Sequence, residues 1–247
     1  MRKTHPLYTN AGYWFLLFIP LVAIGFYPTY FAVFFQPTAS VIHIHFALMA
    51  VWVVVLVVQP FLFKYKKLTL HRTIGKFTYV LVPLLLISTF LMIRFTYYRF
   101  LGMPENAATL NRQAVLHTAA TFVSITFLYL GLLALFYTLA VINRSKAAVH
   151  ARYMVATSLT LLGPTVDRII YAGTSVTHLG GVLPIETVAF VLADGILLFL
   201  LWKDYKARRP VKALSVSLLV YLAAQSCYFL LRDSDGWASF VTFVMQA

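Results

Sequence analysis

The chain has 247 residues, of which 61% are hydrophobic and 11% charged, with 20 Lys and Arg against 7 Asp and Glu. Apolar runs of about 20 residues recur, each long enough to cross ~30 Å of hydrocarbon as a helix, so the composition defines an all-α polytopic membrane protein. The basic excess lies in short loops, where it sets topology and argues against a nucleic-acid partner, and the lone Cys227 excludes an intrachain disulfide or a multi-thiolate metal site.

Seven spans are predicted, at 12–35, 40–63, 76–99, 114–142, 152–174, 184–202 and 213–231, with a short amphipathic tail after them. They make one integral membrane domain over 1–247, with a four-helix core at about 40–174 and flanking helices 12–35, 184–202 and 213–231. Met1 to Pro6 precede an apolar run too long for a signal-peptide core, so the first run reads as a retained helix. Lys and Arg number five in Lys64 to Lys76 and five in Lys203 to Lys212, against none in Gln36 to Val41 or Ser175 to Leu183. This alternation puts the amino terminus in the cytoplasm and the carboxyl terminus outside, in a multi-pass arrangement.

Pro20 and Pro28 are expected to kink the first span. In the second, His43 and His45 point about 200° apart on a regular helix. His45 shares a face with Met49, Trp52, Leu56 and Gln59 and reads as inward; His43 lies above Ala47, Ala50 and Val54 and reads as an interfacial residue bonded to water or headgroups. The third span starts in the basic loop, with Thr69 or Thr73 available as a cap, His71 one to two turns ahead of the apolar run, and Arg94 near the outer end, free to snorkel. His117 opens the fourth span on a small, polar stripe with Thr121, Ser124 and Gly131, a pattern that faces other helices or a bound group because lipid offers no hydrogen bonds. In the fifth, His150 and Met154 share a face with Pro164 and Arg168. Gly163-Pro164 should open the helix, and the adjacent Asp167 and Arg168 call for partners among Arg94, Glu186 and Asp194. The seventh aligns Tyr221, Gln225, Tyr228 and Arg232.

By this topology His45 and His117 form an outer layer and His71 and His150 an inner one, each a candidate pair on diagonal helices, which is the arrangement bis-histidine haem ligation needs. Alternating histidines over residues 40 to 174 resemble the transmembrane di-haem b cytochromes, such as the ascorbate-reducible family. That resemblance implies haem b on His45, His117, His71 and His150, electron transfer, and a quinone or another redox partner. The strings His71-Arg72-Thr73-Ile74-Gly75-Lys76 and His150-Ala151-Arg152-Tyr153-Met154, with Asp167-Arg168 downstream, resemble an uncharacterised family of bacterial polytopic membrane proteins over most of the chain, which implies a bacterial inner (cytoplasmic) membrane and no activity. Against two haems stands the length from His45 to the inner end of its helix, ~27 Å at 1.5 Å per residue. Two other readings stay open. His45, His117, Asp167 and Glu186, with His178 nearby, carry nitrogen and carboxylate ligands suited to zinc or iron in a metal-dependent membrane hydrolase. Alternatively, the buried charge cluster Arg94, Asp167, Arg168 and Glu186 lines a cofactor-free transporter or marks an accessory subunit of a larger membrane complex.

Overall fold

A computed structural model describes residue 8 and residues 10–103 and 111–246; the predicted start, Met1 to Pro6, and part of the loop between the third and fourth spans lie outside these described residues. The fold is all-α apart from one two-stranded hairpin. Among the described residues five segments are long and apolar enough to cross a membrane: Ala11–Phe31, Ser40–Lys64, Leu68–Leu101, Arg112–Ile142 and Lys212–Leu231.

The prolines shape the first of these. Pro20 cannot donate to Leu16, and the helix is broken there into α1 (Ala11–Phe15) and α2 (Phe18–Phe26). Pro28 lies in a π-helical turn over Tyr27–Phe31, closed by the Ala32 amide on the Tyr27 carbonyl at 2.8 Å. Next come α3 (Ser40–Lys64) and α4 (Leu68–Leu101). At 34 residues α4 is about 51 Å long, more than the hydrocarbon needs, so it starts eight residues before the predicted 76 and holds His71 in its first turn. Neither threonine caps it: the N-cap is Lys67, and the Thr73 hydroxyl donates within the helix to the Thr69 carbonyl at 3.2 Å. Lys66 makes the tight turn possible by taking a left-handed φ of 59°.

α5 (Arg112–Ile142) is followed by α6 (Ala147–Leu159) and α7 (Leu162–Thr174). The break between these last two falls at Thr160-Leu161, one turn ahead of Pro164, as a missing amide requires. A hairpin pairs His178–Leu179 with Leu183–Pro184 across Gly180 and Gly181, both at positive φ. α8 (Glu186–Lys206), α9 (Lys212–Leu231) and the amphipathic α10 (Asp235–Gln246) complete the chain.

Helices α3 to α6 pack in sequence, α2 and α8 lie against α7, α9 lies against α6 and α8, and α10 lies along α5. The main core gathers Trp52, Leu56, Leu85, Phe136, Leu197 and Tyr221; a smaller one joins Ile93, Tyr97 and Val123 to Val241 and Met245 of α10. Outside these cores the helices turn large apolar residues outward, among them Val80, Phe122, Leu219 and Leu230. Such surface is compatible with contact to lipid.

Candidate functional site

The predicted facing of α3 is realised: Trp52 and Leu56 are buried, whereas Val54 is 57% exposed. His45 meets the Ser88 hydroxyl of α4 at 3.1 Å, and that hydroxyl donates to the Leu85 carbonyl at 3.0 Å. Since the hydroxyl proton is spent, His45 donates from Nδ1 and keeps Nε2 as an acceptor. His43 is bound within the protein rather than to water or headgroups, at 3.1 Å from the Tyr30 hydroxyl and edge-on to Phe34. The cause is the π-helical turn, which brings Tyr30 alongside α3.

His117 has a different set of neighbours from His45. Its Nε2 donates to the Asp233 carbonyl at 3.1 Å, with the exposed Asp235 carboxylate 3.9 Å away. One turn on, Thr121 donates to the Arg232 carbonyl at 3.1 Å, and Ser124 accepts from the Trp237 indole at 2.6 Å. The polar stripe of α5 thus docks the turn between α9 and α10. Trp237→Phe, which removes that donor while Ser124 keeps its own bond to Ala120, is expected to cost about 1 kcal/mol. Hydrogen exchange should then rise across α10 and stay unchanged in α6; equal protection of α10 in both proteins would contradict this role.

The inner histidines share a cavity. It has a volume of about 1100 Å³ and is walled by apolar residues of α1, α3, α5 and α6, including Phe15, Val55, Leu56 and Val155. His71 donates Nδ1–H to the Gln59 carbonyl at 3.2 Å, while the Gln59 side chain donates to the His71 carbonyl at 3.2 Å. His150 donates Nδ1–H to the Ala140 carbonyl at 2.8 Å. That carbonyl is an orphan of the α5 terminus, because the Arg144 amide goes to Val141 instead. A carbonyl can only accept, so both imidazoles are fixed with Nδ1 protonated and Nε2 bearing the lone pair. Both line the cavity and lie within electrostatic range of each other. Arg72, Lys76, Arg144 and Arg208 add positive charge, and no Asp or Glu lies among the described lining residues.

In the cavity wall, Arg152 forms an ion pair absent from the sequence reading. Arg152 places Nη2 at 2.7 Å and Nε at 2.8 Å from Asp204 Oδ2, with both side chains buried. Tyr8 donates to the same oxygen at 2.7 Å, and the guanidinium lies 4.8 Å from the Tyr8 ring centroid. Burial first, then the Asp204 carboxylate, push the Tyr8 hydroxyl well above its ordinary range, so it stays a donor. The one available signal was an acid inside the basic run Lys203-Asp204-Tyr205-Lys206.

The proposed charge cluster is held largely by neutral groups. Arg168 donates to the Pro164 carbonyl at 2.8 Å and lies over Phe26 at 4.4 Å. Arg94 lies 5.8 Å from the Tyr98 ring centroid. Glu186 accepts from Tyr228 at 3.2 Å, Asp194 from Gln225 at 3.1 Å, and Tyr221 donates to the Ala156 carbonyl at 2.8 Å. The aligned face of α9 is therefore a hydrogen-bond ladder onto α6 and α8. Asp167 and Glu186 lie within electrostatic range of each other. His178 is exposed on the hairpin beside Thr177. Among the described residues no three His, Cys, Asp or Glu side chains converge as a metal-holding group.

No protein-family model, curated protein or solved structure matches the chain.

Proposed function

We propose that the protein is a seven-span inner-membrane protein that holds one b-type haem between His71 and His150, at the cytoplasmic end of the bundle, and serves in electron transfer. One observation carries this reading: two imidazoles on different helices, each tethered through Nδ1–H to a backbone carbonyl, line a single cavity of about 1100 Å³. Such tethering orients a histidine ligand and raises its basicity. The apolar walls suit the face of a macrocycle, and Arg72, Lys76 and Arg144 suit its carboxylates. Bound there, the haem supplies one-electron chemistry toward a quinone or another redox partner. The broken α6–α7 pair and the charge-bearing α8 serve as the fifth and sixth crossings, with the Ala156 carbonyl, Asp194 and Glu186 each paired by the ladder from α9. The basic ends of α4, α6 and α8 then face the cytoplasm.

Reduced-minus-oxidised spectra of protein expressed with ample haem should show a b-type α band at one haem per chain. His71→Ala and His150→Ala should each abolish it, and His45→Ala should retain it. A haem-free protein, or a band indifferent to His71 and His150, would reject the reading. A second reading, a cofactor-free transporter or accessory subunit, rests on the same cavity, whose apolar walls and basic residues suit an anionic amphiphile. It predicts no band and a rise in unfolding temperature with dodecyl phosphate.

A further inference from the structure

Five buried side-chain polar atoms have no hydrogen-bond partner among the described residues, and three of them belong to one layer: Tyr129 Oη, Asp167 Oδ1 and Thr187 Oγ1. Buried polar atoms are nearly always paired, so three together mark a site made for something. The layer lies far from the haem cavity: Asp167 is seventeen residues beyond His150, about 25 Å along α6 and α7. Three helices build it. Tyr129 of α5, 8% exposed, lays its ring tip across Gly163, where a Cβ would come within 1.9 Å of the hydroxyl. Asp167 follows Gly163 by one turn on the same face of α7. From α8, Phe190 packs 6.5 Å from Tyr129, and Thr187 precedes it by one turn on the same face, beside Glu186.

We propose that this layer is a proton-binding site, with Asp167 as the acceptor, the unpaired hydroxyls of Tyr129 and Thr187 as its polar surroundings, and Glu186 at its approach. The charges decide the ligand. Asp167 and Glu186 face each other electrostatically, and neither has a cationic side chain within ion-pair distance among the described residues. Arg168 lies next to Asp167 but is turned to the Pro164 carbonyl and Phe26, and His45 of α3 lies within its electrostatic range. Glu186 is already engaged by Tyr228 of α9, which in turn accepts from Arg232 at 2.7 Å. A metal ion would need several more oxygen ligands and would sit beside a buried guanidinium. A proton neutralises one carboxylate and needs no further ligands. In the step itself, hydronium arriving past Glu186 gives its proton to the Asp167 carboxylate and leaves as water. Such carboxyl and hydroxyl chains within membrane helices are the parts of proton relays.

The test is infrared titration of the whole protein in lipid nanodiscs, in H₂O and D₂O. Acidification should raise a carboxylic C=O stretch that shifts down in D₂O and is lost in Asp167→Asn. Tyr129→Phe keeps the ring on Gly163 and removes a polar group from the surroundings of the anion, so the band should persist with its midpoint raised by about one pH unit, a tenfold gain in proton affinity. If Asp167→Asn does not fold, Tyr129→Phe decides: an unmoved midpoint overturns the proposal. So does a titrating band unchanged by Asp167→Asn, or an unfolding temperature raised by NaCl over choline chloride in wild type but not in Asp167→Asn.

Discussion

Asp204→Ala is expected to destabilise the protein by about 3–5 kcal/mol, because it strands the buried cation of Arg152. The guanidinium of Arg152 is 3% exposed and spends two donors on one carboxylate oxygen. A third goes to the Ala148 carbonyl. Removing the carboxylate leaves a buried cation with a backbone carbonyl and the face of Tyr8, far short of what water would provide. The loss comes from the stranded charge more than from the bond. Arg152→Met with Asp204→Leu, which removes both charges and keeps volume, should therefore recover most of it. Tyr8→Phe should cost about 1 kcal/mol, since Asp204 keeps its cation. Thermal unfolding in lipid nanodiscs measures all three. An Asp204→Ala protein within about 0.5 kcal/mol of wild type would mean that water reaches the pair.

These contrasts show what periodicity along one chain could and could not reveal. The inward face of α3 was legible because helical spacing aligns His45 with Trp52, Leu56 and Gln59, and burying a tryptophan settles orientation. The aligned face of α9 was legible for the same reason. The sequence also locates the break in the fifth span, since Pro164 must deprive one carbonyl a turn earlier. Partners far apart in sequence were not legible. Asp204 meets Arg152 across 52 positions, and nothing local to either residue names the other. His117 follows the same logic: its stripe was recognised as polar, yet its partners are backbone carbonyls at the α9–α10 turn, which carry no side-chain signature. Backbone acceptors hid the inner site as well. Gln59 and Ala140 fix the tautomers of His71 and His150 through carbonyls every residue possesses, so the spacing suggested a pair without suggesting how it is oriented.

Gly163→Ala should be a highly disruptive single methyl group in this bundle. Alanine is ordinarily the better helix former by about 1 kcal/mol. Here its Cβ would lie 1.9 Å from both Cζ and Oη of Tyr129. The ring cannot swing clear, being 8% exposed and packed against Phe190. Relief requires α5 and α7 to move apart, and overpacking of this kind costs about 1–3 kcal/mol. Gly131 of α5 and Gly173 of α7 are internal controls, because a Cβ at either meets nothing within 4 Å. Alanine there should be neutral or stabilising by up to about 1 kcal/mol. Tyr129→Leu, which shortens the opposing side chain, should remove the penalty of Gly163→Ala, giving a strongly non-additive double-mutant cycle. Additive losses would mean that the ring does not rest on Gly163. Since Asp167 stands one turn further along the same face, displacement of Tyr129 by the new methyl should also raise the midpoint of the Asp167 carboxyl band, as Tyr129→Phe does. That joint response links the close approach of two helices to the protonation of a carboxyl group neither Gly163 nor its methyl would touch.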